Sequence, residues 1–172
     1  MLDRYFKPIS VSKKTILKTE NNVARKLYFV VNGFLKTSRP DRNGNVTIQI
    51  ASSGDFITVF ESFVNDLASN EVIECISDCE LMVITKTDYL ALTAQSHIWE
   101  HFCKKVYEKL IADTLERTRD LLTMSATDRY LKLLKAKPDL IKNVPIHLIA
   151  SYIGIKPESL SRLRRNAFPN NC

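Results

Sequence analysis

No stretch of this sequence approaches the roughly 20 consecutive apolar residues that a membrane-spanning helix needs, so no membrane association is expected. The N-terminus, Met1-Leu2-Asp3-Arg4-Tyr5-Phe6-Lys7, lacks the apolar core and small-residue cleavage site of a secretion signal, which points to a cytoplasmic protein. Glycine is scarce, four in 172 residues, and no Gly-rich phosphate loop is present. The cysteines, Cys75, Cys79, Cys103 and Cys172, include no Cys-x-x-Cys pair. His97, His101 and His147 fall at no ligand spacing with them. Buried structural thiols in a reducing compartment are the expectation, with a metal or iron–sulfur centre as the alternative. Nothing near Cys172 argues for a redox role. No nucleophile–base pair is found either, so neither an enzyme, a resident metal nor a cofactor is expected.

What is present is the composition of an ordinary globular protein, 45% hydrophobic and 26% charged. The length suits one large domain, or a medium one plus a small one. The net charge of +6 is unevenly placed. Residues 1–124 carry 16 Lys+Arg and 16 Asp+Glu, whereas residues 125–172 carry nine against three, so the last 48 residues hold the whole excess. A neutral body with a basic end fits a polyanion reader on a scaffold, and charge alone fits a solvated tail equally well.

The first 85 residues read mostly as β-structure. Thr15-Ile16-Leu17 and Leu27-Tyr28-Phe29-Val30-Val31 have strand composition. Phe34 to Ser38 and Val46 to Ile50 flank Asn43-Gly44, a tight hairpin signal. In the return strand Val46, Ile48 and Ile50 alternate with Thr47 and Gln49, which predicts that one face is wet. Ser53-Gly54-Asp55 is a further turn, and Glu71 to Ile76 and Leu81 to Thr85 form the last strand pair, joined at Ser77-Asp78. Short strands at this spacing predict an antiparallel barrel or roll.

The period then changes. Thr87-Asp88-Tyr89-Leu90 opens a short helix, and Ile98, Trp99, Phe102, Cys103, Val106, Tyr107, Leu110 and Ile111 recur at helical spacing, followed by Leu115, Leu121 and Leu122. A helix from about His97 to Thr123 would be about 40 Å long, more than a small roll can cover. Its surplus apolar length calls for the same helix of a second subunit, against the alternative of an ordinary amphipathic helix packed on its own domain. Ser125-Ala126-Thr127-Asp128 starts another helix, which carries Tyr130, Leu131, Leu133 and Leu134 and ends before Pro138. A turn follows at Asn143-Val144-Pro145.

Residues 146–168 are the most informative segment. Leu148, Ile149 and Ile153 give a short helix an apolar face, and Ala150 is small enough for a second helix to cross over it. Gly154 stands where a turn needs a residue without a Cβ, Ile155 plugs the gap between the helices, and Pro157 suits a first helical position. Leu160 and Leu163 then face inward, leaving Glu158, Ser159, Ser161, Arg162 and Arg165 outside. This is the pattern of a helix-turn-helix whose second helix suits a major groove. Arg can donate two parallel bonds to guanine and Glu can accept from cytosine, while Ser hydroxyls and further basic residues, Lys156 and Arg164 among them, suit phosphates. A basic amphipathic terminal helix without a DNA role is the alternative.

The chain resembles the Crp/Fnr transcription regulators along nearly its whole length. Leu27-Tyr28-Phe29-Val30-Val31-Asn32-Gly33 looks like a strand of that family, Asn43-Gly44 like its hairpin turn, and Ser53-Gly54-Asp55-Phe56 like the turn before its effector-binding segment. The most specific match is Ile149-Ala150-Ser151-Tyr152-Ile153-Gly154-Ile155 followed by Glu158-Ser159-Leu160-Ser161-Arg162. The resemblance places Glu158 and Arg162 on the base-contacting positions and puts Pro157 where a DNA-contacting basic residue often stands. It also implies a homodimer on an inverted-repeat site and RNA polymerase as a partner.

The same resemblance assigns Glu61, Ser69, Asn70 and Thr114 to effector binding, but Phe60 replaces a Gly, and Ala68-Ser69-Asn70-Glu71 holds no Arg for a cyclic phosphate. Cyclic AMP is therefore not the expected effector; another small molecule, or none, is. The N-terminal cysteine cluster of iron–sulfur sensing relatives is missing.

The expectation is thus an α+β chain: a cyclic-nucleotide-binding-like antiparallel β-roll (double-stranded β-helix) over 1–96, a dimerisation helix over 97–124, and a helix-turn-helix domain over 125–172. That last domain is expected to be winged-helix-like but truncated, because the chain stops soon after the recognition helix with no second wing hairpin; at its other end it starts almost at the first strand and is expected to lack most of the family's leading helix. The competing reading is a ligand-sensing or protein-interaction roll that binds no DNA.

Overall fold

The structure, a computed structural model, describes residues 2–42 and 44–167, with the side chains of Leu2, Asn166 and Ala167 excepted. Asn43 of the hairpin turn, Phe168 and Cys172 lie outside the described residues. The chain forms two compact units, residues 1–106 and 107–172.

The first unit is antiparallel β-structure. β1 (Lys7–Val11), β4 (Lys26–Asn32), β7 (Phe56–Ile57) and β10 (Cys79–Thr85) form one sheet in the order β1-β10-β4-β7. β2 (Ile16–Lys18), β5 (Leu35–Asp41), β6 (Gly44–Ala51) and β9 (Val72–Cys75) form a second in the order β2-β9-β5-β6. β3 (Asn22–Val23) pairs with β8 (Ala68–Ser69). Val30 and Leu81, paired in the first sheet, and Leu35, Ala51, Ile73 and Cys75 of the second are buried, as the inward positions of alternating strands must be. This is the expected roll.

Two local features depart from the sequence reading. In β6 the alternation is inverted near the turn: Thr47 is buried whereas Val46 and Ile48 are exposed. The cause is a register shift between Thr37 and Ser38. Ser38 pairs with Thr47 and Thr37 with Gln49, so Ile48 is the extra residue. A bulge of one residue moves the side chains beyond it to the other face. The second is a helix with no clear sequence signal, α1 (Phe60–Asn65), which buries Ser62 and Phe63 and ends in left-handed backbone at Asp66.

α2 (Lys86–Gln95) starts at Thr85, whose Oγ1 accepts from the Asp88 amide. α3 (His97–Thr123) is one helix over the expected span, and its residues 97–106 belong to the first unit. There Trp99 is buried, edge-on to Phe6 at 5.6 Å between centroids. The second unit continues with α4 (Ala126–Ala136), α5 (Pro138–Asn143), α6 (Ile146–Ile153) and α7 (Pro157–Ala167). Ser125 caps α4 as its sequence predicts, accepting from the Asp128 amide and donating to the Asp128 carboxylate. α5 fills a stretch read as mere connection. Tyr130, Leu140, Ile141, Ile149, Ala150, Ile153 and Leu160 form the core of this unit.

Candidate nucleic-acid interface and effector segment

The turn between α6 and α7 is set by Gly154, which has φ 72° and ψ 40°. The Ile155 amide reaches back to the Ala150 carbonyl at 3.0 Å, closing a helix end that favours glycine. A Cβ on Gly154 would lie 2.9 Å from Cδ2 of Leu121. Lys156 precedes α7 and its carbonyl accepts from the Leu160 amide, so Pro157 sits at the first helical position, where its missing amide costs nothing. Ala150 and Leu160 are both fully buried.

Two guanidinium groups hold the end of α6. Arg117 of α3 donates from Nε and Nη2 to the Tyr152 carbonyl, at 3.3 and 2.8 Å, and stacks on the Tyr152 ring. Arg129 of α4 donates to the Ile153 carbonyl at 2.9 Å and to the Met124 carbonyl at 2.6 Å. These cations meet the last carbonyls of a helix, where the peptide dipole is negative. Lys132 bridges Glu116 and Asp120 of α3 at 2.6 Å each. Arg129 and Lys132, part of the basic excess, therefore serve the packing of the unit. The charge count could not have separated such residues from surface ones.

The α7 face opposite Leu160 and Leu163 carries Glu158, Arg162 and Arg165. At about 100° per residue they lie within about 60° of one another, and all three are exposed. Ser159 and Ser161 are half-buried on the flanks of this face, Lys156 is exposed just before the helix, and Arg164 is exposed about 130° around the helix from the centre of the face, near Leu160. All seven residues singled out for DNA contact thus fall on one short segment of the second unit.

The residues assigned to an effector are less coherent. Glu61 is exposed on α1, Ser69 is half-buried in β8 and Asn70 is exposed after it, all in the first unit. Thr114 belongs to the second unit, and its hydroxyl donates to the Leu110 carbonyl at 2.7 Å. What sequence reasoning missed is Lys18 of β2. The residue is buried, 7% exposed, and its ammonium donates to the Ser69 and Glu71 carbonyls at 2.5 and 2.6 Å. A lone Lys at a strand end carries no signal of burial, so only the folded strands reveal it. Burial pushes the Glu71 carboxyl above its ordinary pKa; Arg39 and Lys18 pull it back, and Glu61 adds to the rise.

Cys75, Cys79 and Cys103 are free, buried thiols. Among the described residues no group of three or more His, Cys, Asp or Glu could hold a metal ion, and no helix is long and apolar enough to cross a membrane.

The antiparallel roll, the long helix and the helix-turn-helix make up a fold that solved structures share, among them one described as a regulator of the Crp/Fnr family. The cyclic nucleotide-binding domain family matches residues 8–96, just over half of the chain, and the chain belongs to that family. Its structure is similar to that of FixK2 from Bradyrhizobium japonicum, with a TM-score of 0.82 at 14% identity over 95% of this chain and 85% of the other. A variant of CooA from Carboxydothermus hydrogenoformans gives 0.74 at 19% identity, over 95% and 76%. A protein from Eubacterium rectale described as a transcriptional regulator of the Crp/Fnr family gives 0.71 at 18%, over 95% and 78%. Identities this low bear on the shared fold. No curated protein matches the sequence at a significant level.

Proposed function

We propose that this chain is a sequence-specific DNA-binding transcription regulator of the Crp/Fnr type that acts as a homodimer in the cytoplasm. Residues 1–96 form its effector-type roll, residues 97–124 its dimerisation helix and residues 125–172 its DNA-reading domain. The observation that carries this reading is α7: a helix with a buried Leu160 on one side and exposed Glu158, Arg162 and Arg165 on the other, preceded by a glycine turn. That face offers a bidentate donor for guanine, an acceptor for cytosine and cations for phosphates. The dimer is supported by exposed apolar residues along α3, with Ile98 86% and Leu122 81% exposed in the single chain. RNA polymerase is the partner that the Crp/Fnr resemblance implies.

Cyclic AMP is not the effector in this reading, because residues 68–71 bring no Arg and Glu71 adds negative charge. Selection of bound sequences from a random duplex pool, followed by binding at several salt concentrations, tests the function. An enriched inverted repeat and a steep salt dependence are expected. Failure to enrich any sequence, with no retention on DNA at low salt, would leave the roll as an interaction module instead.

A further inference from the structure

The strand register sets Lys18 opposite Ile73, and Ile73 opposite Thr37, in a row across β2, β9 and β5. Directly paired residues share a face, and all three are buried. The row is therefore the inner face of the second sheet, and Lys18 is a cation inside the roll. From there its ammonium reaches the Ser69 and Glu71 carbonyls. Carbonyl oxygens only accept hydrogen bonds, so the segment presents acceptors at this point, and an ammonium with three donors satisfies them. A phosphate needs the opposite chemistry.

We propose that Lys18 is a ligand carried within the chain: its ammonium fills a primary-ammonium subsite formed by the Ser69 and Glu71 carbonyls, so the roll holds its effector segment without a nucleotide. The inference rests on reading residues 1–96 as the effector-type roll of a DNA-binding regulator, and it gives that roll a constitutive state. Burial lowers the Lys18 pKa, while the charges of Glu71 and Glu20 act to keep the ammonium protonated.

The test uses the full chain and the fluorescence of Trp99, the only tryptophan, which is buried in the first unit and so reports the roll. Lys18→Ala should lower the melting temperature seen by Trp99. Added n-propylammonium should restore it saturably, while tetramethylammonium and sodium at equal concentration should not. The unaltered protein should show no heat of binding with cyclic AMP up to about 1 mM. Equal recovery by all three cations, recovery by none, or cyclic AMP binding by the unaltered protein would overturn the proposal. If Lys18→Ala yields no folded roll, Lys18→Arg and Lys18→Met decide. Arg should retain a cooperative transition and Met should lose it, whereas a Met variant melting like the unaltered protein overturns the idea. Loss of the DNA reading would show in duplex binding alone, since the melting experiment involves no DNA.

Discussion

The guanidinium of Arg117 lies 4.5 Å from the ring centroid of Tyr152 and donates two hydrogen bonds to the carbonyl of the same residue. One side chain of α3 thereby fixes the last turn of α6, which leads directly into the Gly154 turn. Burial lowers the Arg117 pKa, but a guanidinium stays charged throughout the accessible range. Hydrogen bonds to charged groups contribute about 1.5–3 kcal/mol. Arg117→Ala should destabilise the second unit by about 2 kcal/mol, measured by denaturant unfolding. Arg117→Lys should recover little of it, because an ammonium cannot both lie flat on the ring and fork to one oxygen. Duplex affinity should fall while its salt slope stays unchanged, since this charge is spent inside the protein.

Arg162 and Arg165 give the opposite signature. Arg162→Ala should cost about 1–3 kcal/mol per half-site and relax specificity at one base position. Arg165→Ala should weaken all sequences alike and shallow the salt slope by about one unit for each phosphate no longer neutralised. Both substitutions remove one positive charge, so electrostatics alone predicts equal losses. Binding curves on selected and scrambled duplexes separate the cases, and an unchanged affinity ratio for Arg162→Ala would remove α7 from the reading role.

Dimerisation should depend on the outer apolar residues of α3. Ile111 is 56% and Leu115 60% exposed, so each can change without disturbing the core of the single chain. The double substitution to Glu would bury charges in the dimer and should shift it toward monomer. Sedimentation is the measurement, and a monomeric unaltered protein at micromolar concentration would contradict the idea.

Gly154→Ala tests the helix-turn-helix turn. The left-handed backbone costs a residue with a Cβ about 1–2 kcal/mol, and the new methyl meets the Leu121 side chain at 2.9 Å. Loss of that order in unfolding free energy is expected, with weaker duplex binding. An unchanged stability would mean that the turn relaxes at no cost.

Glu71 makes a pH prediction. Its folded pKa is raised, chiefly by burial. The folded state therefore binds the proton more tightly than the unfolded one. The contribution to stability is fully present below the unfolded pKa near 4.5 and is lost as pH rises through the folded value. Glu71→Gln removes that loss. It should stabilise the protein at pH 7, and the gain should vanish as pH falls below about 4, read by Trp99-detected melting across pH. A stabilisation independent of pH would point to a cause other than titration.

Local sequence was sufficient for features that depend on backbone chemistry. A Gly where φ is positive, a Pro where no amide is needed, a Ser three residues before an Asp at a helix start, and apolar residues at helical spacing from His97 to Thr123 each name their element without help from the rest of the chain. The roll, the long helix and the helix-turn-helix were legible for that reason, as was the exposed face of α7, whose residues depend only on helical period. Tertiary structure decided what depends on partners distant in sequence. The bulge opposite Ser38 buries Thr47 and leaves Ile48 exposed. Arg117, Arg129 and Lys132 are drawn into packing by carbonyls and carboxylates on other helices. Lys18 is buried because the Ser69 and Glu71 carbonyls lie more than fifty residues away in the chain and within 2.6 Å in space. Burying a charge is costly unless it is bonded, and only the fold determines whether a partner stands there.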